Sequence, residues 1–411
     1  MTRVTGRIGA LCLLAATGPE LLAADLQKRP GRFRLGPLYL TPRFELRNAG
    51  VDTNVFHTAT DPTPDNSIVT RFALGGVLPV GRRLRLFGDG YSDFNYFRRE
   101  SGERSLDFGG EGRAELTAGR LTLFAGGGGL QGKQRFSIEL SQRVLRQEKW
   151  VTGGVDVALG GRVSTRFIAS SRVYGFGSLV IGGEDIKERL DRRSVSGAAE
   201  LRYGVTPKTT ALVSAETIED RFFSQTGDAS RRTLSYRYLG GFELGERALV
   251  RGKLLAGVRR LPGSLARGGL AYGGPTLSVG ADAPFGRLGK LETLAERDVY
   301  YSAEGVRVQD VRLRSAYVYS RYRGELAFAL PFDLVGRAFA EHQQARFLLP
   351  QDRTGSFRRV DNVRTFGGSL LRRIGEGVRI GGMIAWSQRV SNVPGLAYRG
   401  LVYGAQAEVV P

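Results

Sequence analysis

The sequence is poor in the residues that most often carry chemistry. Its 411 residues include one cysteine, two histidines, two methionines and two tryptophans. The cysteine, Cys12, lies in an apolar N-terminal stretch. A mature chain without that stretch has no disulfide, thiolate metal site or thiol nucleophile. The histidines, His57 and His342, have no second histidine at metal-ligand spacing and no serine-histidine motif beside them. A zinc site, a haem site or a catalytic triad therefore has little to build from. We expect rim or surface histidines, no enzyme activity, no metal and no cofactor. No apolar run approaches the ~18 residues of a membrane helix. Mean hydropathy is −0.19, which excludes a helical membrane protein but not a membrane barrel, where only alternate residues meet lipid. Lysine is scarce too, at seven of sixty basic residues. The net charge is +20, but basic residues are interleaved with acids along the whole chain. A nucleic-acid binder would gather them into a patch or along one helix, so no nucleic-acid partner is expected.

What is present is glycine, 58 residues of it, and alternation. Leu84, Leu86, Gly88, Gly90, Phe94 and Tyr96 fall on one side of an extended chain; Arg85, Asp89, Tyr91, Asp93 and Asn95 fall on the other. The same reading holds at 105–116, where Leu106, Phe108 and Ala114 alternate with Asp107, Glu111 and Arg113, and at 234–244, 249–259, 378–389 and 401–409. Amphipathic helices would place apolar residues three and four apart, and no long segment does so. The best helical candidate, 137–148, reads as part of a loop.

Tight turns rich in glycine, proline and polar residues fall at 79–82, 117–120, 160–162, 206–208, 245–247, 284–287, 331–333 and 375–377. Between them lie nine connections, mostly longer and more polar, the clearest at 57–67, 136–146, 177–192, 221–231, 262–269 and 348–359. Short turns at one end and long loops at the other mark an outer-membrane barrel with periplasmic turns. The fold expected is all-β, a transmembrane antiparallel up-and-down β-barrel of about 18 strands, with 16 as the alternative. The apolar phase shifts near Ser320 and Arg321, which implies a bulge or a miscounted turn. A soluble barrel of this size could not fill its interior with side chains, so the apolar face points into lipid.

Residues 1–24 have the layout of a secretory signal peptide: Arg3 and Arg7, then an apolar core, then Ala23 and Ala24. We expect cleavage there, a short periplasmic segment at 25–37, and the barrel at 38–411. The expected partners are outer-membrane lipid and the outer-membrane assembly machinery.

The register places Arg85, Tyr91, Arg113, Arg251, Lys253, Arg259, Arg312, Arg314 and Arg337 in the lumen, as a candidate substrate pathway. Arginine rings inside a pore favour anions. Acids share that face, among them Glu115, Glu243 and Glu296, so cross-strand ion pairs are the more economical reading for each carboxylate. Tyr91, Tyr174 and Tyr272 either form a slide for sugar rings or fill space. Residues 177–192 are long and charged enough to fold over the mouth. Gly127, Gly129 and Gly132 match a dinucleotide-binding spacing, but no helix follows; glycine there allows curvature or makes room for a neighbouring aromatic.

Residues 36–56, GPLYLTPRFELRNAGVDTNVF, end in Asp52-Thr53-Asn54-Val55-Phe56 and lead into a polar loop with Asp61, Asp65 and Asn66. This opening resembles that of the β-barrel porin family found with bacterial exopolysaccharide operons. Thr53 stands where a second acid is often seen in that family. The resemblance implies an outer-membrane channel that exports an exopolysaccharide, an anionic one among the candidates, with periplasmic polysaccharide-export components as partners. A general or anion-selective porin for small solutes and a non-conducting structural barrel, its lumen closed by loop 136–149 or by paired charges, are the alternatives.

Overall fold

A computed structural model of the chain describes residues 33–181, 183–224, 232–245, 248–263, 271–286, 288–303, 306–308, 311–313, 315–348 and 358–409. The expected leader at 1–24 lies outside the described residues. Of the expected periplasmic segment, Phe33–Leu35 forms a short strand folded back on Leu38–Leu40.

Eighteen antiparallel strands follow in simple up-and-down order. They are β1 (Leu38–Asp52), β2 (Asp65–Val80), β3 (Leu84–Phe97), β4 (Ser105–Ala118), β5 (Leu121–Gln134) and β6 (Val144–Gly160). Then come β7 (Val163–Phe176), β8 (Arg192–Thr206), β9 (Thr209–Phe222), β10 (Arg232–Leu244), β11 (Arg251–Pro262) and β12 (Ala271–Phe285). The last are β13 (Gly289–Tyr301), β14 (Ala316–Leu330), β15 (Leu334–Phe347), β16 (Val360–Arg373), β17 (Val378–Ser391) and β18 (Tyr398–Val409). β18 pairs with β1, from Val409 opposite Phe44 to Val402 opposite Asp52, and this closes the sheet. The count is eighteen, not sixteen, and all eight tight turns fall where the sequence places them.

The outer face is apolar. Phe72, Leu106, Val151, Phe167, Val213 and Ile384 are all about half exposed or more, and a closed strand ring leaves no unpaired edge along that wall. Apolar residues outside and charged ones inside invert the arrangement of a soluble barrel and match a membrane-spanning one. A bulge in β1 sets Arg47 and Asn48 against one position on each neighbouring strand. Glu45, Arg47 and Asn48 then crowd onto the lumen face, where Asn48 donates to Ser67 Oγ at 2.9 Å.

The expected irregularity near Ser320 and Arg321 has a different cause. β14 keeps continuous register with both neighbours, so there is neither a bulge nor a miscounted turn. Residues 316–321 break the alternation because every one of them is buried. Segment 137–148, read as part of a loop, is irregular over 137–143, but β6 begins already at Val144; the short helix α1 (Ile186–Leu190) lies in the next long loop.

The glycine run 126–129 makes room. A β-carbon at Gly128 would stand 2.7 Å from the Trp150 ring and closer still to the Gly110 carbonyl oxygen. Gly197, by contrast, faces open space. Gly128→Val should therefore destabilise the barrel by about 1–3 kcal/mol, while Gly197→Ala should not. Denaturant unfolding of the refolded protein, followed by heat-dependent gel mobility, checks the pair.

Candidate functional site

The candidate site is the lumen and the structure across its loop-side mouth. Two devices organise the wall. The first is ion pairing. Arg71 faces Asp93 with both donors, Nε to Oδ1 at 2.5 Å. Arg113 lies 2.8 Å from Glu115, Arg259 2.9 Å from Asp298, and Arg321 3.0 Å from Glu341. The second is stacking over glycine. The rings of Tyr91, Phe124, Trp150 and Phe339 lie across Gly109, Gly154, Gly128 and Gly367 of adjacent strands. Arginines cover these rings in turn: Arg71 at 4.3 Å from the Tyr91 centroid, Arg113 at 4.7 Å from Phe124, Arg172 at 5.2 Å from Trp150 and Arg323 at 4.8 Å from Phe339. Glycine supplies the floor, the aromatic ring lies on it, and a guanidinium caps the ring, a favourable cation–π geometry.

The expected pathway residues are distributed as follows. Arg85, Arg113, Arg251, Lys253, Arg259 and Arg337 sit on the lumen face, and each has a carboxylate within ion-pair distance: Glu115 for the first two, then Asp282, Glu200, Asp298 and Glu408. Their charge is thus not a bare cationic ring. Tyr91 is capped by Arg71, and Tyr174 by Arg192 at 4.0 Å, so neither ring offers a bare face to a sugar. Tyr272 packs at the rim beside a cluster of Leu261, Val299, Ala316 and Val318. Arg312 is not on the barrel wall: it lies in a separate hairpin, Val306–Val308 with Val311–Leu313, in the connection between β13 and β14. Arg314 lies outside the described residues. The two histidines are far apart in role. His342 is on the outer wall of β15, beside Tyr322. His57 is in the first loop, stacked on Tyr398 at 4.2 Å. Burial, with Arg135 and Arg389 nearby, holds its imidazole well below the usual range, so it is neutral.

The loop-side mouth is closed by the loop that follows β5, the closure expected under the non-conducting alternative. Segment 135–140, Arg-Phe-Ser-Ile-Glu-Leu, leaves β5, is buried at every residue, and crosses to the far side of the ring. There Ser137 Oγ meets Tyr317 Oη at 3.1 Å. Ala303 N donates to Glu139 Oε2 at 2.8 Å, and Ser302 Oγ donates to Oε1. Ile138 packs with Tyr317, Tyr319, Phe347 and Val363. Since β5 and β14 are half a turn apart in an eighteen-strand ring, the segment is a bridge across the lumen. The loop 177–192 does fold inward, as its length suggested. Asp185 caps α1 by accepting from Lys187 N at 2.9 Å, and Ile186 and Leu190 pack against Phe136 and Leu140 of the bridge.

The far wall bends to meet it. β12 pairs with β13 only as far as Leu277 opposite Arg297, although both strands run on. Beyond that point β13 and β14, still paired to each other, turn into the lumen. Tyr301 Oη donates to Asp220 Oδ2 at 2.8 Å, on β9, and the ring meets Phe222 edge-on. Val299 packs with Leu261 of β11. Both faces of this strand end are therefore covered, one by the bridge and one by the lumen wall of β9 and β11. Exposure of the lumen charges near the turns is mixed: the Arg85 side chain is 54% exposed, whereas Arg337, just after the turn at 331–333, is 2% exposed, as is Arg389 near the bridge.

No family model matches the sequence, and the search of curated proteins returns no match. Among solved structures the chain is similar to the siderophore receptor PirA from Pseudomonas aeruginosa, at 10% identity and a TM-score of 0.45 over 93% of this chain and 81% of that one. It is also similar to CdiB from Escherichia coli, at 12% and 0.43 over 92% and 64%, and to the FrpB iron transporter from Neisseria meningitidis, at 8% and 0.44 over 89% and 64%. The closed antiparallel ring, apolar outer face and polarity of turns and loops define the class: an outer-membrane β-barrel.

Glu139 joins the bridge to the inward strand end. Glu139→Ala should leave the barrel folded and speed amide exchange in 135–143 and 302–303 by roughly tenfold or more, as expected for a lost charge-assisted contact of about 1.5–3 kcal/mol. Hydrogen-exchange mass spectrometry reads this directly; unchanged protection would mean that apolar packing alone holds the bridge.

Proposed function

We propose that the protein is a gated outer-membrane channel that exports an acidic exopolysaccharide, with the bridge as its gate. The observation that carries this reading is the bridge of 135–140 across the loop-side end of a charged lumen. On this reading cargo enters from the turn side and leaves only when the mouth rearranges. Paired arginines suit a polymer: each offers a weak, local contact to a carboxylate without the net field that would trap it. The same pairing disfavours a bulk anion-selective pore. The exopolysaccharide itself, the periplasmic export components and the cleaved leader come from the resemblance of residues 36–56 and from the N-terminal composition.

The test is planar-bilayer conductance of the refolded full chain and of a variant with 136–141 replaced by a glycine-serine linker of equal length. The intact chain should pass little steady current, and the replaced variant should conduct steadily. An oligoglucuronate added on the turn side should block that current at a lower concentration than a neutral oligosaccharide of the same length. A folded, bridge-replaced barrel that passes no current would overturn the gate. Equal block by acidic and neutral oligomers would overturn the acidic cargo.

A further inference from the structure

The outer wall carries a feature that lumen transport does not use. Across β14–β18 the register aligns Tyr322, His342, Arg364, Gln388 and Arg399 in one continuous row on the lipid-facing side. Arg346 stands four residues beyond His342 on the same face of β15 and is exposed. Directly below, the next outward row is Gly324, Ala340, Phe366, Trp386 and Leu401, with Phe366 and Trp386 stacked at 5.9 Å. An aromatic pair at the loop side of an apolar belt marks the membrane interface. The cationic row therefore sits at headgroup level in the outer leaflet.

Its charge is unbalanced. Arg346, Arg364 and Arg399 are exposed, and none forms an ion pair with a described residue. No acid occupies the row. On the opposite part of the rim Arg221 and Arg232 are instead ion-paired, sharing Glu219. Tyr322 and His342 stack with an interplanar angle of 8°, and Gln344 Nε2 donates to Asn362 Oδ1 at 2.8 Å just above. Hydrogen-bonding groups thus flank the guanidiniums at strand spacing.

We propose that the β14–β18 wall is a binding surface for a phosphorylated glycolipid of the outer leaflet. Arg364, Arg399 and Arg346 would take its phosphate groups, and the Phe366–Trp386 row would lie along its acyl chains. The guanidinium is suited to forked phosphate contacts, and headgroup attraction grows with each exposed cation at the surface. The surface lies on the wall that carries the inward-bent β14, so an occupying lipid would brace the far side of the gate. The proposal rests on the barrel and its orientation, not on the cargo.

The experiment is native mass spectrometry of the refolded full chain in detergent with purified bis-phosphorylated lipid A. The intact chain should retain the lipid, and the double variant Arg364→Gln/Arg399→Gln should retain it about tenfold less. Dephosphorylated lipid A should bind the intact chain as weakly as phosphorylated lipid A binds the variant. Arg221→Gln, which removes a guanidinium paired with Glu219 on the opposite wall, should bind normally. The Arg364→Lys/Arg399→Lys pair should recover most of the retention, and it serves as the deciding variant if the glutamine pair does not reach the heat-modifiable folded form. Equal retention of the two lipid A forms by the intact chain would overturn the proposal, as would displacement of the lipid by millimolar inorganic phosphate alone, which would make the row a free-anion site.

Discussion

Everything in this molecule follows from one constraint: a strand in hydrocarbon must have all of its backbone polar groups bonded to other strands. Closure of β18 onto β1 meets that constraint for the ring as a whole. The closed ring then fixes the rest. At eighteen strands its interior is too wide for a side-chain core, so the inner face must be stable next to water. The ring can open only where lipid is absent, and among the described residues β12 and β13 part over four or more residues beyond Leu277 and Arg297, at the loop-side end.

A wet interior lined with arginine has to be neutralised locally. The protein does this within the wall, pairing carboxylate and guanidinium between adjacent strands, as in Arg71–Asp93 and Arg321–Glu341, or as far as three strands apart, as in Arg337–Glu408. Such pairs contribute little each where water reaches them. Their larger effect is to hold long side chains against the wall. The aromatic rings laid over Gly109, Gly128, Gly154 and Gly367 do the same from beneath. The lumen is thereby kept smooth, and its free space depends on the mouth more than on the wall.

The wall was largely legible in the sequence, because strand period and turn chemistry are local. Leu106 and Asp107 declare their faces to a reader who knows only their neighbours, and all eight tight turns announce themselves by glycine, proline and polar residues. That loops 136–149 and 177–192 could cover the mouth was readable from their length and charge, but not how they are held, because those contacts join residues far apart in the chain: Ser137 with Tyr317, Glu139 with Ala303, Tyr301 with Asp220. Segment 135–140 reads as an ordinary polar loop. Its burial comes from the far wall, which is half the ring away. One signal was present all the same. The alternation fails at 316–321, in a stretch dense with tyrosine, and that is where both faces of β14 are covered. Arg312 was misplaced for the same reason: extended sequence above the barrel looks like extended sequence within it.

The bridge and the inward strand end form a single device. The inner side of the β13–β14 end presents Tyr317 and Tyr319 to Ile138, and its other side presents Val299 and Val318 to Leu261. If the bridge withdrew alone, the tyrosine face would be exposed, at a cost of about 1.5–3 kcal/mol for each large side chain left in water. If the strand end swung back alone to rejoin β12, Glu139 would lose the partners it holds at Ser302 and Ala303. Each movement is unfavourable without the other. Packed elements that share two faces in this way switch between discrete arrangements and do not deform gradually. On the proposed gating, the mouth would therefore close or open as a unit, and re-pairing of β12 with β13 would release the bridge as well.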